Sequence, residues 1–138
     1  MRSVLVDSGP LVALFDASDA HHVRAVEFLR DFRGILLTNA AVVTEACYLL
    51  DFSGGRPRLD FLEWAERALE IDGPLREDLA RAREILDKYA DLPADFTDAT
   101  LVRLAERRNV KEILTVDRDF TIYRTLSGRA LKNLFFKR

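Results

Sequence analysis

Carboxylates recur in this chain at the ends of apolar segments, where they either cap helices or do chemistry. Asp7 closes the β-branched run Ser3-Val4-Leu5-Val6, just before Ser8-Gly9-Pro10 turns the chain. Asp117 closes a second apolar run, Glu112-Ile113-Leu114-Thr115-Val116, with Asp119 and Phe120 directly behind. Asp95 and Asp98 stand three residues apart at a helix start and so share a face. Glu45 lies inside an almost wholly apolar helix, with Ala41 and Val42 one turn before it and Tyr48 and Leu49 one turn after. No cation in its own helix can pair with it at i,i+3 or i,i+4, so it is partnered over long range or lines a cavity.

If Asp7, Glu45, Asp98 and Asp117 converge, their repulsion has to be offset. At about 5 Å and an effective dielectric near 20, each like-charge pair costs about 3 kcal/mol. A helix cap returns only about 1 kcal/mol. Oxygen-only ligands of this kind suit Mg²⁺ or Mn²⁺, which keep several waters and take one or two carboxylates plus phosphate oxygens. Such ions polarise a phosphoryl oxygen, lower the pKa of bound water and stabilise a leaving oxygen. Phosphodiester hydrolysis is the reaction class this suits best.

The elements that must position these acids alternate. Strands are expected at Ser3–Val6, Ile35–Thr38 and Glu112–Val116, with a short edge strand at Leu69–Asp72 and a last strand within Leu131–Phe136. Helices are expected after Pro10, over Asp19–Asp31, from Ala40 to Phe52 with Asn39 as N-cap, from Leu59 to Leu69, from Leu75 to Asp91 after a Gly73-Pro74 break, and from Asp95. Ser53-Gly54-Gly55-Arg56-Pro57-Arg58 reads as a flexible basic loop. His21 and His22 point to different helix faces and read as solvated or capping side chains rather than joint metal ligands. The alternation implies an α/β fold: a three-layer α/β/α sandwich around a parallel sheet of four or five strands, with ligands bound beyond the strands' carboxyl ends.

Residues 1–138 read as a single domain, large enough for a hydrophobic core. The 49% hydrophobic and 32% charged fractions are those of an ordinary globular chain. No apolar run approaches membrane-spanning length and no signal pattern opens the chain, so no membrane association and a cytoplasmic location are expected. One cysteine, Cys47, excludes disulfides within the chain and Cys-based zinc sites. A net charge of −2 excludes nucleic-acid binding by bulk positive charge, but not a nuclease that draws phosphate to a metal site.

The stretches VLVDSGPLVALFD, LTNAAVVTEACYLL and LPADFTDATLVRLAERRNVKEILTVDRDF together resemble the PIN domain nucleases, and within them the VapC-type toxins of toxin–antitoxin pairs. The resemblance covers essentially the whole chain. It implies a divalent-metal endoribonuclease with Asp7, Glu45, Asp98 and Asp117 as its four acids. Asp7 and Asp98 would hold the principal Mg²⁺ or Mn²⁺ ion, with Glu45 and Asp117 completing the site directly or through waters. Asp119 matches an additional acid, and Ser8 and Thr115 match small hydroxyl residues beside the site. Asp95 is either a supporting ligand or the N-cap of the helix that carries Asp98. The resemblance further implies an RNA substrate, a homodimer, and a small antitoxin lying along the exposed parts of Ala40–Phe52 and Leu59–Leu69. Arg56, Arg58, Arg107 and Arg108 are candidate contacts to phosphate or to antitoxin acids, against the plain alternative of solvated charge.

Rival readings remain open at this level. A haloacid-dehalogenase-like phosphatase would want a second Asp two positions after Asp7, where Gly9 stands. A PIN scaffold that has lost catalysis and only binds RNA or protein is opposed by the presence of all four acids. A PIN nuclease acting in RNA processing, outside any toxin–antitoxin pair, fits the same residues.

Overall fold

Five short strands form one parallel sheet: β1 (Ser3–Val6), β2 (Ile35–Asn39), β3 (Leu69–Asp72), β4 (Glu112–Leu114) and β5 (Lys132–Asn133), in the order β3-β2-β1-β4-β5. The structure is a computed structural model describing residues 1–73 and 75–136. Leu5 of the central strand pairs with Leu37 on one side and Ile113 on the other, and all three are fully buried. Strands covered on both faces need continuous apolar runs, which is what β1, β2 and β4 supply.

The helices are α1 (Ser8–Phe15), α2 (His22–Asp31), α3 (Ala40–Leu50), α4 (Gly55–Ala68), α5 (Leu79–Lys88) and α6 (Phe96–Arg108). The chain winds from β1 through β2 to β3 by way of α1 to α4, which pack on one another. It then crosses back through α5 and α6, which pack together, to reach β4 on the other side of β1. Right-handed crossovers in opposite directions put the two helix groups on opposite faces of the sheet. The result is the expected three-layer α/β/α sandwich.

Local signals account for most boundaries. Asn39 caps α3, its Oδ1 accepting the Val42 N–H at 3.0 Å. Asn109 ends α6 in the left-handed region at φ 53°, where Asn is tolerated better than most residues. Gly9 sits where a Cβ would run into the Val116 side chain, so its bareness lets α1 begin tightly against the exit of β4.

Several expectations need correction. Ser53–Arg58 is not an open loop: a 3₁₀ turn at Asp51–Ser53 breaks at Gly54 (φ 91°) and α4 begins at Gly55, so Arg56 and Arg58 are helical. The Leu75–Asp91 segment is a 3₁₀ turn, Arg76–Asp78, followed by the shorter α5. Pro74 of the expected break lies outside the described residues. β4 stops at Leu114 rather than Val116, because the Thr115 N–H turns to the Asn133 side chain. His21 and His22, expected to be solvated or capping, are half-buried: His21 stands at the N-cap position of α2 without a side-chain capping bond and packs edge-on against Phe135 and Phe136, and His22 Nδ1 lies 2.7 Å from the Ala13 carbonyl.

Candidate active site

The winding direction reverses between β1 and β4, and a crevice opens beyond the carboxyl ends of such a strand pair. Asp7 stands at the tip of β1 and Asp117 three residues beyond β4. The Asp7 N–H still donates to the Leu114 carbonyl at 2.9 Å, so the two strand exits are stitched together just below the acids.

Asp7 is only 7% exposed. Its Oδ1 accepts the Ser8 N–H at 2.7 Å and its Oδ2 accepts the Thr115 hydroxyl at 2.8 Å. Burial pushes its pKa up to about 6 in spite of those two bonds, and the charges of Glu45 and Asp95 push the same way. Asp7 is also the N-cap of α1. Capping is worth about 1 kcal/mol, whereas a shift of this size corresponds to about 3 kcal/mol at high pH, so capping alone does not explain an acid here.

Glu45 reaches this point from α3, and its Oε1 accepts the Ser8 hydroxyl. Its long-range partner is therefore the residue next to Asp7, which ties α3 to the start of α1. Asp98 arrives from the first turn of α6. Asp95 Oδ1 accepts the Asp98 N–H at 2.8 Å and Asp98 Oδ2 accepts the Asp95 N–H at 3.2 Å, a reciprocal capping box. Asp95 is thus the N-cap of α6. Burial and then the Asp95 charge push the Asp98 pKa up to about 7, with Asp7 and Asp117 adding to the effect.

Asp117 caps the 3₁₀ turn Arg118–Ile122, its Oδ1 accepting the Asp119 N–H at 2.9 Å. The Asp117 N–H donates to the Thr115 hydroxyl at 3.1 Å. That hydroxyl thus donates to Asp7 and accepts from Asp117, fixing the spacing between the two strand exits. Asp119 itself is exposed.

Two side chains that sequence reasoning passed over also serve this edge. The Tyr123 hydroxyl lies 3.4 Å from Asp98 Oδ2, and burial followed by the Asp98 and Asp117 charges pushes the phenol pKa up. Asn133 donates to the Thr115 carbonyl at 3.1 Å and accepts from the Thr115 and Phe135 N–H groups at 3.4 and 3.0 Å. It pins the segment after β5 beside the β4 exit. Its only sequence signal is a polar residue within the apolar tail.

The four arginines are engaged elsewhere. Arg56 pairs with Asp60 at 3.0 Å and Arg58 with Asp51 at 2.6 Å. Arg107 pairs with Asp72 and Asp78 at 2.8 and 3.0 Å, and Arg108 with Asp72 at 2.9 Å and with Glu70. Asp98 and Arg107 are nine residues apart on one helix, about 13 Å at 1.5 Å per residue.

Among the described residues, no three His, Cys, Asp or Glu side chains close into a ready-made metal cage. The donor set nevertheless suits a hard cation. It offers carboxylate oxygens from α1's cap, α3, α6 and the β4 exit, and burial, with the charges of neighbouring acids, pushes the pKa of Asp7 up to about 6 and of Asp98 up to about 7. A cation that keeps most of its waters needs only one or two of these oxygens directly.

Residues 4–125 match the PIN domain family. The chain is 31% identical over 128 residues to ribonuclease VapC26 of Mycobacterium tuberculosis, covering 91% of this chain and 95% of that protein. Among solved structures it resembles Mycobacterium tuberculosis VapC20, described as a Sarcin-Ricin loop cleaving toxin. The TM-score is 0.80 at 22% identity, covering 91% of this chain and 98% of that one. It also resembles PAE2754 from Pyrobaculum aerophilum, with a TM-score of 0.57 at 22% identity over 88% and 84% of the two chains. With its fold, its strand-end acids and a match spanning most of its length, the chain belongs to the PIN domain family.

Proposed function

We propose that this protein is a divalent-metal-dependent endoribonuclease, the toxin of a VapBC-type toxin–antitoxin pair, with residues 1–138 forming one nuclease domain. The ribonuclease reading draws support from the 31% identity to ribonuclease VapC26 over nearly the full length of both chains. What supports the metal-dependent reading is electrostatic: Asp7 feels the charge of Glu45 and Asp98 those of Asp95, Asp7 and Asp117, and burial together with these charges raises the pKa of Asp7 to about 6 and of Asp98 to about 7.

Asp7 and Asp98 would hold Mg²⁺ or Mn²⁺, with Glu45 and Asp117 completing the site directly or through waters. The ion supplies Lewis-acid polarisation of the phosphoryl oxygen, activation of water and stabilisation of the leaving oxygen. The chain's own residues hold the acids in place. Thr115 spaces Asp7 from Asp117, Ser8 joins Asp7 to Glu45, and the Asp95 capping box fixes Asp98. Asp7 and Asp98 must release protons before they bind a cation, so affinity rises with pH through the neutral range.

The partner reading rests on surface chemistry. Tyr48, Leu49, Phe52, Leu59 and Leu62 are exposed along α3, the following turn and α4, and Tyr48 and Phe52 stack edge-to-face. A cluster of large apolar side chains is what an antitoxin helix or a second copy would cover. No helix among the described residues is long and apolar enough to cross a membrane; the proposed homodimer and cytoplasmic location follow from the likeness to VapC-type toxins.

The test is incubation with total RNA in Mn²⁺ or Mg²⁺, with and without chelator. Cleavage by the wild type, and its loss on chelation and in Asp7→Asn and Asp98→Asn, is the expected result. Cleavage that survives both substitutions would falsify the site. A retired scaffold would show neither cleavage nor Mn²⁺ binding by calorimetry, and a processing nuclease would cleave but purify without a small partner.

A further inference from the structure

The acids that suit a cation also repel an RNA strand, so something nearby has to hold the backbone. Arg118 directly follows Asp117, and its guanidinium lies 3.7 Å from the centre of the Phe136 ring. Phe136 is brought to this edge by the Asn133 bonds to Thr115 and Phe135. We propose that Arg118, held over the Phe136 ring, grips an RNA phosphate flanking the one at the acids; this rests on the ribonuclease reading above.

Three observations carry it. First, a guanidinium centred over an aromatic ring makes a cation–π contact that uses none of its five N–H donors as hydrogen bonds, leaving the planar fork that matches phosphate. Arg118 makes no ion pair among the described residues, although Asp117 and Asp119 flank it in sequence. Second, the arginines singled out from sequence are all paired with carboxylates, whereas Arg118, one residue after Asp117, is exposed and pairs with none among the described residues. Third, the platform is braced. Arg24 of α2 lies 5.5 Å from the same ring and donates to the Phe135 carbonyl at 3.4 Å, while His21 packs edge-on against both Phe135 and Phe136. A pre-positioned fork loses little freedom on binding, which a freely moving surface arginine would have to give up.

The experiment is an anisotropy titration of a labelled single-stranded RNA of about a dozen nucleotides, in chelator so that it stays intact, across a salt series. Arg118→Gln is expected to bind about tenfold more weakly at low salt. Its slope of log affinity against log salt should be shallower by about 0.7, the value for one phosphate contact on a single strand. Arg118→Lys should keep the wild-type slope but not the full affinity, and Phe136→Leu should weaken binding where Phe136→Tyr does not. Arg33→Gln, at the opposite end of the sheet, is the control. In Mn²⁺, Arg118→Gln should raise KM about tenfold with kcat within about threefold. Wild-type affinity and slope in Arg118→Gln, or a fall in kcat at unchanged KM, would overturn the proposal, as would a wild type that binds no RNA. A wild type that binds RNA without cleaving it refutes the nuclease reading, while the titration still reads the Arg118 contact.

Discussion

Replacing Asp7 by Asn should make the metal-free protein more stable at pH 8 and less able to work. Burial raises the Asp7 pKa from 3.8 to about 6. At 1.36 kcal/mol per unit, that is about 3 kcal/mol of stability forfeited wherever the carboxylate is ionised in the fold. The sign follows from proton binding. Between pH 4 and pH 6 the folded chain keeps a proton that the unfolded chain has released, so stability falls as pH rises through that window and stays low above it. Asn carries no charge and escapes the loss. It returns about 1 kcal/mol, because an amide cannot accept from both the Ser8 N–H and the Thr115 hydroxyl as the carboxylate does. The net gain is about 2 kcal/mol at pH 8, about 6 °C in Tm for a chain of this size, and it turns into a net loss of about 1 kcal/mol near pH 4, where the charge penalty has gone and only the lost acceptor counts. Thermal melts in chelator at pH 4, 6 and 8 read it directly. Saturating Mn²⁺ should then reverse the order by stabilising only the wild type, since a ligand bound solely by the folded state adds RT ln(1 + [L]/Kd). An Asn variant that melts below the wild type at pH 8 without metal, or a difference that ignores pH, would show that the Asp7 carboxylate is at ease in this pocket and that its reading as a cation ligand is wrong.

Other consequences can be checked alongside. Asp98→Asn should cut metal-dependent RNA cleavage by at least about a hundredfold while leaving the fold intact, since its capping bond can be kept by the amide oxygen; cleavage rates and circular dichroism decide it. Thr115→Val should destabilise by about 1–3 kcal/mol in urea melts, because it strands the Asp117 N–H. The same change removes a bond that lowers the Asp7 pKa, so the pH midpoint for Mn²⁺ binding by calorimetry should move upward. Asp78→Ala should cost about 3 kcal/mol by leaving Arg103 and Arg107 short of a buried partner, with the Mn²⁺ affinity of the surviving fold unchanged. Metal binding near pH 6.5 should release protons, seen as a calorimetric enthalpy that changes with the ionisation heat of the buffer.

The sequence by itself determined the order of elements, since apolar runs ending in Asp7, Thr38 and Val116 could hardly be anything but covered strands and helix starts at Asn39 and Asp95 carry their own caps. It also singled out Glu45, because local pairing in a helix is readable from spacing alone. What spacing could not decide was which residues meet across the chain. Asn133 and Thr115 come together because β5 lies beside β4, and Tyr123 reaches Asp98 because the 3₁₀ turn after Asp117 folds back toward α6; neither relation leaves a local mark. The same limit explains the arginines. Arg107 and Arg108 read as available charge from sequence, yet β3 delivers Glu70 and Asp72 to them, while Arg118, which no local pattern marks out, rests over the ring of Phe136, eighteen residues further along the chain. Local chemistry is written in neighbours along the backbone, but partnership between charges depends on distances that only the packed sheet and its crossovers set.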